Sequence, residues 1–277
     1  MLSTGGLRLT KHHGAGNDFL VMLDPDGQRS LSCEEARVLC DRHRGIGADG
    51  ILRVMSGSDG AALTMELRNA DGAVAEMSGN GIRCLAQAAV EAGLVAPPRF
   101  TVATAAGVRT VDYEPGAAPG TAWASVDMGP VTLGEDQPQE SPGRRARRAE
   151  VGNPHLVLFG PDPVGVDVTG LGPRLEAMEP GGLNVEFVAR TETPDELVLR
   201  VWERGVGETL ACGTGSCAAA EAARSWGLVG DTVRVQNPGG PLVVTLGARP
   251  GDPVTLAGPV RKVADVVLDR AGLAAPA

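Results

Sequence analysis

The chain has 277 residues with 25 Lys and Arg against 34 Asp and Glu, a formal net charge of −9 with the histidines neutral. That balance excludes a simple nucleic-acid binder, which needs a basic face, and 43% hydrophobic with 21% charged residues excludes a disordered chain. Residues 1–10 hold no apolar stretch long enough for the core of a secretion signal, no apolar run approaches the ~18 residues of a membrane span, and five cysteines without a CxxC pair fit reduced thiols, so a cytoplasmic protein with no membrane or nucleic-acid partner is expected.

In chain order, the apolar spacing predicts a strand over 19–23, an amphipathic helix over 33–42 and a strand over 63–67. A helix follows with Ser78 as its N-cap, Ile82, Leu85, Ala86, Ala89 and Val90 at helical spacing, and Gly93 as its stop. Residues 134–148, rich in Pro, Gln and Arg, read as a surface loop whose basic run over 143–148 faces solvent. Strands are expected over 156–159 and 197–202, and a second helix from Cys212 to Gly227 carries Ala218, Ala219, Ala222 and Ala223, small enough for close packing.

The chain repeats itself. Ser78-Gly-Asn-Gly81 answers Cys212-Gly-Thr-Gly215, and at the same offset Ala86, Ala88, Ala89, Gly93, Leu94 and Val95 meet Ala220, Ala222, Ala223, Gly227, Leu228 and Val229. Gly16-Asn-Asp-Phe-Leu-Val21 similarly answers Gly152-Asn-Pro-His-Leu-Val157. Blocks in the same order at nearly constant offset imply two related halves of about 130 residues, each the size of a small domain. The halves are expected over 1–127 and 128–262, with the tail from about 263 to 277 returning to the first.

A helix N-terminus presents unpaired N–H groups and partial positive charge, so it binds anions and favours a thiolate. Cys212 stands at such a position, with Gly213 and Gly215 opening the backbone to a carboxylate and with Glu203-Arg204 and Glu208-Thr209 just upstream. Two such N-termini meeting across one cleft suit acid/base chemistry at the α-carbon of an amino acid. An inert buried cysteine and a dinucleotide fingerprint over 213–218 are the competing readings. Only Lys11 and Lys262 are available for a Schiff base, and no Gly-Lys-Ser/Thr run exists for a P-loop.

Six blocks closely resemble the diaminopimelate epimerase family: Lys11-His-His-Gly-Ala-Gly-Asn-Asp-Phe19, Arg42 to Gly50, Asn69-Ala-Asp-Gly72 with Glu76 to Cys84, Gly152-Asn-Pro-His155, Asn184-Val-Glu-Phe187 and Glu203 to Gly215. The resemblance implies an α/β fold of two pseudo-symmetric domains, each a curved, mostly antiparallel sheet around a central helix, with the active site in the cleft between them. It implies cofactor-independent epimerisation of LL- to meso-diaminopimelate in lysine and peptidoglycan precursor synthesis, with a small-molecule substrate and a homodimer as the assembly to consider. Two cysteines on opposite faces of the α-carbon exchange the proton in this family, and Cys212 matches the second. The reacting carboxylate would rest on Gly79, Asn80, Gly213 and Thr214, and the remainder of the substrate on Asn17, Asn69, Asn153, Asn184, Glu203 and Arg204. His155 and Glu203 match residues that tune the thiols.

One departure stands out. Where the family has its first catalytic cysteine this chain has Ser78, and a hydroxyl is a far weaker acid than a thiol. Three readings stay open: a Cys-to-Ser form that binds substrate without inverting it, a competent Ser/Cys pair in an epimerase or related amino-acid racemase, or Cys212 working alone in α-proton exchange or elimination.

Overall fold

The computed structural model of the chain describes residues 6–58, 60–137 and 145–268. By their contacts these fall into two compact units, one drawn from within 6–14, 18–124 and 260–268, the other from within 15–17 and 125–259. The chain passes between the units around 15–17 and within two later strands, β8 and β17, defined below.

The first unit runs β1 (Leu7–Gly14), β2 (Asn17–Leu23), α1 (Cys33–Cys40), β3 (Gly50–Ser56), β4 (Leu63–Asn69), β5 (Val74–Ala75), α2 (Gly79–Glu91), β6 (Arg99–Thr104), β7 (Gly107–Pro115) and β8 (Thr121–Pro130). Strands β2 and β3 are parallel across α1, β3, β4 and β5 are antiparallel in turn, β4 and β6 are parallel across α2, and β6 and β7 close a hairpin. Helix α1 starts on a reciprocal cap in which Ser32 Oγ accepts the Glu35 amide and the Glu35 carboxylate accepts the Ser32 amide. It ends at Cys40, short of the expected Arg42, and Asp41 then accepts the amides of His43 and Arg44 to start a turn.

The second unit repeats this order with β9 (Thr132–Gln137), β10 (Arg145–Glu150), β11 (Pro154–Phe159), α3 (Val168–Glu176), β12 (Asn184–Arg190), β13 (Glu196–Glu203), β14 (Gly207–Thr209), α4 (Gly213–Ser225), β15 (Thr232–Asn237), β16 (Gly240–Thr245) and β17 (Pro253–Leu268). Its pairings copy the first unit's: β11 and β12 parallel across α3, β12, β13 and β14 antiparallel, β13 and β15 parallel across α4, β15 and β16 a hairpin.

Each unit is built on a helix buried on all sides. Every residue of α2 from Gly79 to Ala89 and of α4 from Gly213 to Ala223 is buried, which marks a core helix rather than an amphipathic one. Helix α4 packs against β10, β11, β12, β13, β15 and β16, so the sheet must curve to keep all six strands in contact with one cylinder. The alanines at 218, 219, 220, 222 and 223 let those strands approach closely. Both helices end as expected, at Gly93 and Gly227, each with φ of +71°.

The expected loop over 134–148 is instead largely strand on either side of 138–144, which lie outside the described residues. Ala146 and Ala149 point inward at 1% and 5% exposure, and this inward pattern makes 145–150 a strand despite its charge. The arginines are engaged: Arg147 pairs with Asp136 at 2.7 Å, Arg148 with Glu179 at 2.6 Å, and Arg145 lies over the Trp226 ring at 5.0 Å. Among the described residues no helix is long and apolar enough to cross a membrane.

Candidate active site

Cys212 is the N-cap of α4. Its backbone is extended (φ −117°, ψ 119°), its Sγ accepts the Gly215 amide at 3.3 Å and lies 3.5 Å from Thr214 Oγ1, and only 5% of the residue is exposed. Burial pushes this thiol well above its ordinary range, the carboxylates of Glu203 and Glu186 push it further, and the bonds from Thr214 and the Gly215 amide oppose them. The group is therefore a thiol held close to donors that can receive the negative charge once its proton leaves.

A chain of polar side chains continues from Thr214. Asn153 Nδ2 donates to Thr214 Oγ1 at 3.5 Å, Asn153 Oδ1 faces His155 Nε2 at 2.9 Å, and His155 Nδ1 meets Glu186 Oε1 at 2.6 Å. His155 and Glu186 are completely buried on the neighbouring parallel strands β11 and β12. Glu203 lies at the end of β13, where its carboxylate accepts from the Thr209 hydroxyl. Asn184 clamps two segments, donating to Pro154 O at 3.1 Å and accepting the Arg204 amide at 3.0 Å, so it fixes the turn that carries Arg204.

In the first unit Ser78 caps α2 in the same way, extended at φ −143° and ψ 116°, with Oγ accepting the Gly81 amide at 3.0 Å. Below it Arg83, completely buried, donates to Gly79 O at 3.0 Å and to Asn80 Oδ1 at 2.7 Å, holding the first turn of the helix. Asn69 ends β4 in a tight turn, its amide donating to Ala73 O, and Asn17 is buried at the start of β2.

The structure thus brings Asn153, His155, Asn184, Glu203, Arg204, Cys212, Gly213 and Thr214 into the second unit, together with Asn17 by its contacts, and Asn69, Ser78, Gly79 and Asn80 into the first. Cys84 and Cys217 are fully buried inside the helices, and Cys84 is pushed up to about 12 by burial. Glu186 is the addition that motif reading passes over. Its signal is a carboxylate within Val185-Glu-Phe-Val-Ala189, a strand buried on both faces that offers a charge no solvent.

A family model described as diaminopimelate epimerase matches residues 9–134 and 148–263. A diaminopimelate epimerase of Thermobifida fusca (strain YX) is 44% identical over 257 residues, covering 87% of this chain and 91% of that protein. One from Cyanothece sp. (strain PCC 7425 / ATCC 29141) is 38% identical over 286 residues, covering 95% and 99%. Among solved structures, a hydroxyproline epimerase from Agrobacterium vitis with bound trans-4-OH-L-proline superposes at a TM-score of 0.73 with 17% identity, over 99% of this chain and 96% of that one. A phenazine biosynthesis protein of the PhzF family from Bacillus anthracis gives 0.74 at 15% identity, over 95% and 98%. At such identities these two share the fold alone.

Proposed function

Because the chain belongs to the diaminopimelate epimerase family, we propose that it interconverts LL- and meso-2,6-diaminopimelate by moving a proton at one α-carbon, with no cofactor. The chain is an isomerase of lysine precursor synthesis, a reaction we place in the cytoplasm. The observation that carries the mechanism is the buried Cys212 thiol, capped on an α4 terminus whose Thr214 hydroxyl and Gly215 amide converge on its sulfur.

In this reading Cys212 removes or returns the proton on one face of the α-carbon, and Ser78 serves the other face. The first-turn backbones at Gly79-Asn80 and Gly213-Thr214 receive the reacting carboxylate, because helix-start amides favour negative charge. They also stabilise the charge that spreads into it as the carbanion forms. Asn17, Asn69, Asn153, Asn184, Glu203 and Arg204 hold the rest of the substrate. His155 and Glu203 tune the thiol. Arg83 supports the reading from below, since its guanidinium fixes the Asn80 side chain and the Gly79 carbonyl beside Ser78.

Incubating the reduced protein with LL-diaminopimelate in D2O tests this directly. Meso product carrying α-deuterium is expected, with Cys212→Ser losing both exchange and inversion. The Ser78 hydroxyl favours one alternative, α-proton exchange by Cys212 alone: deuterium entering recovered LL substrate without meso product would establish it. No exchange into any isomer would overturn the substrate assignment.

A further inference from the structure

The duplicated fold makes an internal comparison possible. In the second unit His155 pairs in register with Asn184, and in the first Phe19 pairs with Gly50, so Phe19 occupies the position of His155. Two residues on, Leu52 occupies the position of Glu186. All four side chains are buried, yet one unit lines the underside of its helix start with hydrocarbon and the other with an imidazole and a carboxylate. The contact at the helix is equivalent too. A Cβ added at Gly81 would meet Leu52 Cδ2 at 3.4 Å, whereas one added at Gly215 would meet Glu186 Oε1 at 2.6 Å and Cys212 Sγ at 3.2 Å. Packing alone is satisfied by the apolar pair. A fully buried carboxylate costs several kcal/mol in desolvation, and Oε2 of Glu186 has no hydrogen-bond partner among the described residues.

Hydrogen-bond direction shows what the carboxylate supplies. Asn153 presents its carbonyl oxygen to His155, so Nε2 must donate, while one proton lies between Nδ1 and Glu186 Oε1, 2.6 Å apart. Asn153 Nδ2 then donates to Thr214 Oγ1, which leaves the threonine hydroxyl hydrogen free to point at Cys212 Sγ. From His155 Nε2 onward, every donor in the chain is aimed toward the sulfur. Without a carboxylate at Nδ1, a neutral ring whose single N–H faces that side presents Nε2 as an acceptor. Asn153 then turns its amide over, the Thr214 hydroxyl donates to Asn153, and the sulfur loses a donor.

We propose that Glu186 is a positioning residue for the Cys212 base, acting through His155, Asn153 and Thr214 to keep their hydrogen bonds directed at the sulfur. It deepens the reading of Cys212 as a catalytic thiol, but its test needs no turnover, so its failure is separable from failure of that reading. The charged side chains acting on the sulfur come from two strands, Glu186 on β12 and Glu203 on β13, while His155 on β11 reaches it through Asn153 and Thr214.

The test is the pH dependence of Cys212 alkylation by iodoacetamide in the full-length protein, read at that residue by peptide mass spectrometry, for wild type and Glu186→Gln. The expected result is a shift to higher pH, with about tenfold slower alkylation near neutrality, the scale of one lost hydrogen bond to a charged group. Combined with Thr214→Val, which removes the final donor, Glu186→Gln should produce no further alkaline shift, and the loss of its nearby negative charge should instead move the profile slightly to lower pH. A shift to lower pH would show that Glu186 acts only as a nearby negative charge, and an unchanged profile would show that it only fills space; either overturns the proposal. If Glu186→Gln does not fold, the double substitution His155→Phe with Glu186→Leu copies the pair that the first unit already packs, and the same alkaline shift is expected of it.

Discussion

Ser78 Oγ and Cys212 Sγ hold one station in two equivalent helices, each accepting the amide of the third residue onward, Gly81 at 3.0 Å and Gly215 at 3.3 Å. The two caps differ in the acidity of the group they hold. A free thiol ionises near pH 8.5, whereas an alcohol stays un-ionised throughout the range in which proteins fold. Ser78→Cys should therefore raise the rate of inversion by about 10²- to 10⁴-fold, the usual worth of one proton-transfer group. It should leave the helix cap and the thermal midpoint nearly unchanged. The rate of meso formation from the LL isomer checks this, and an unchanged rate would mean that the hydroxyl already suffices.

Glu203 and Cys212 give a signed pH effect. The Glu203 carboxylate raises the thiol, second only to burial among the causes. Glu203→Gln keeps an oxygen to accept from Thr209 but removes the charge, so the thiolate forms at lower pH. Alkylation of Cys212 should then begin at lower pH than in wild type, opposite in sign to the expectation for Glu186→Gln. Catalysis should nevertheless fall, because Glu203 is also proposed to hold substrate.

The two helix-start glycines are not equally replaceable. A methyl at Gly215 collides with the Glu186 carboxylate, while one at Gly81 meets only Ser78, at 3.1 Å, and Leu52, at 3.4 Å. Gly215→Ala should cost about 1–3 kcal/mol, as overpacking does, and should displace the sulfur enough to slow alkylation. Gly81→Ala should be milder on both counts. Urea denaturation of the two variants against wild type measures the difference.

Cys40 and Cys84, with the buried Cys212, contribute to the alkaline limit of stability. Burial raises the first two to about 12 in the folded protein, while in the unfolded chain a thiol ionises near 8.5. Each contributes stability that is fully present below the unfolded value and is lost as pH rises toward 12. The thermal midpoint should fall steadily above about pH 9, and Cys84→Ala should flatten that fall while leaving the neutral-pH midpoint lower by the small cavity it creates.

Much of this arrangement can be read from the chain itself. Ser78 and Cys212 announce their helices because a cap, a Gly-x-Gly turn and apolar residues at helical spacing are all local signals. The strand over Arg145–Glu150 is not legible in that way, since four charged side chains hide two inward alanines and only the pairing with β9 and β11 gives the segment its extended form. Glu186 is similarly obscured. Its sequence neighbours announce a buried strand, but only the parallel register of β11 and β12 places it against His155. Helix α3 carries Pro173 and three further weak helix formers in Thr169, Gly170 and Gly172, and it exists because Leu175 and Val168 bury against β12 and β13.

The last strand has a bearing on how the chain is made. Residues 261–268 of β17 pair with 7–13 of β1, so the first unit draws a strand from about 250 residues further along the chain. During synthesis, at roughly 5–20 residues per second, every strand of the second unit through β16 leaves the ribosome before that pairing partner does. Leu7 to His13 therefore wait with an open edge while the younger half closes, and the half translated first is the half completed last.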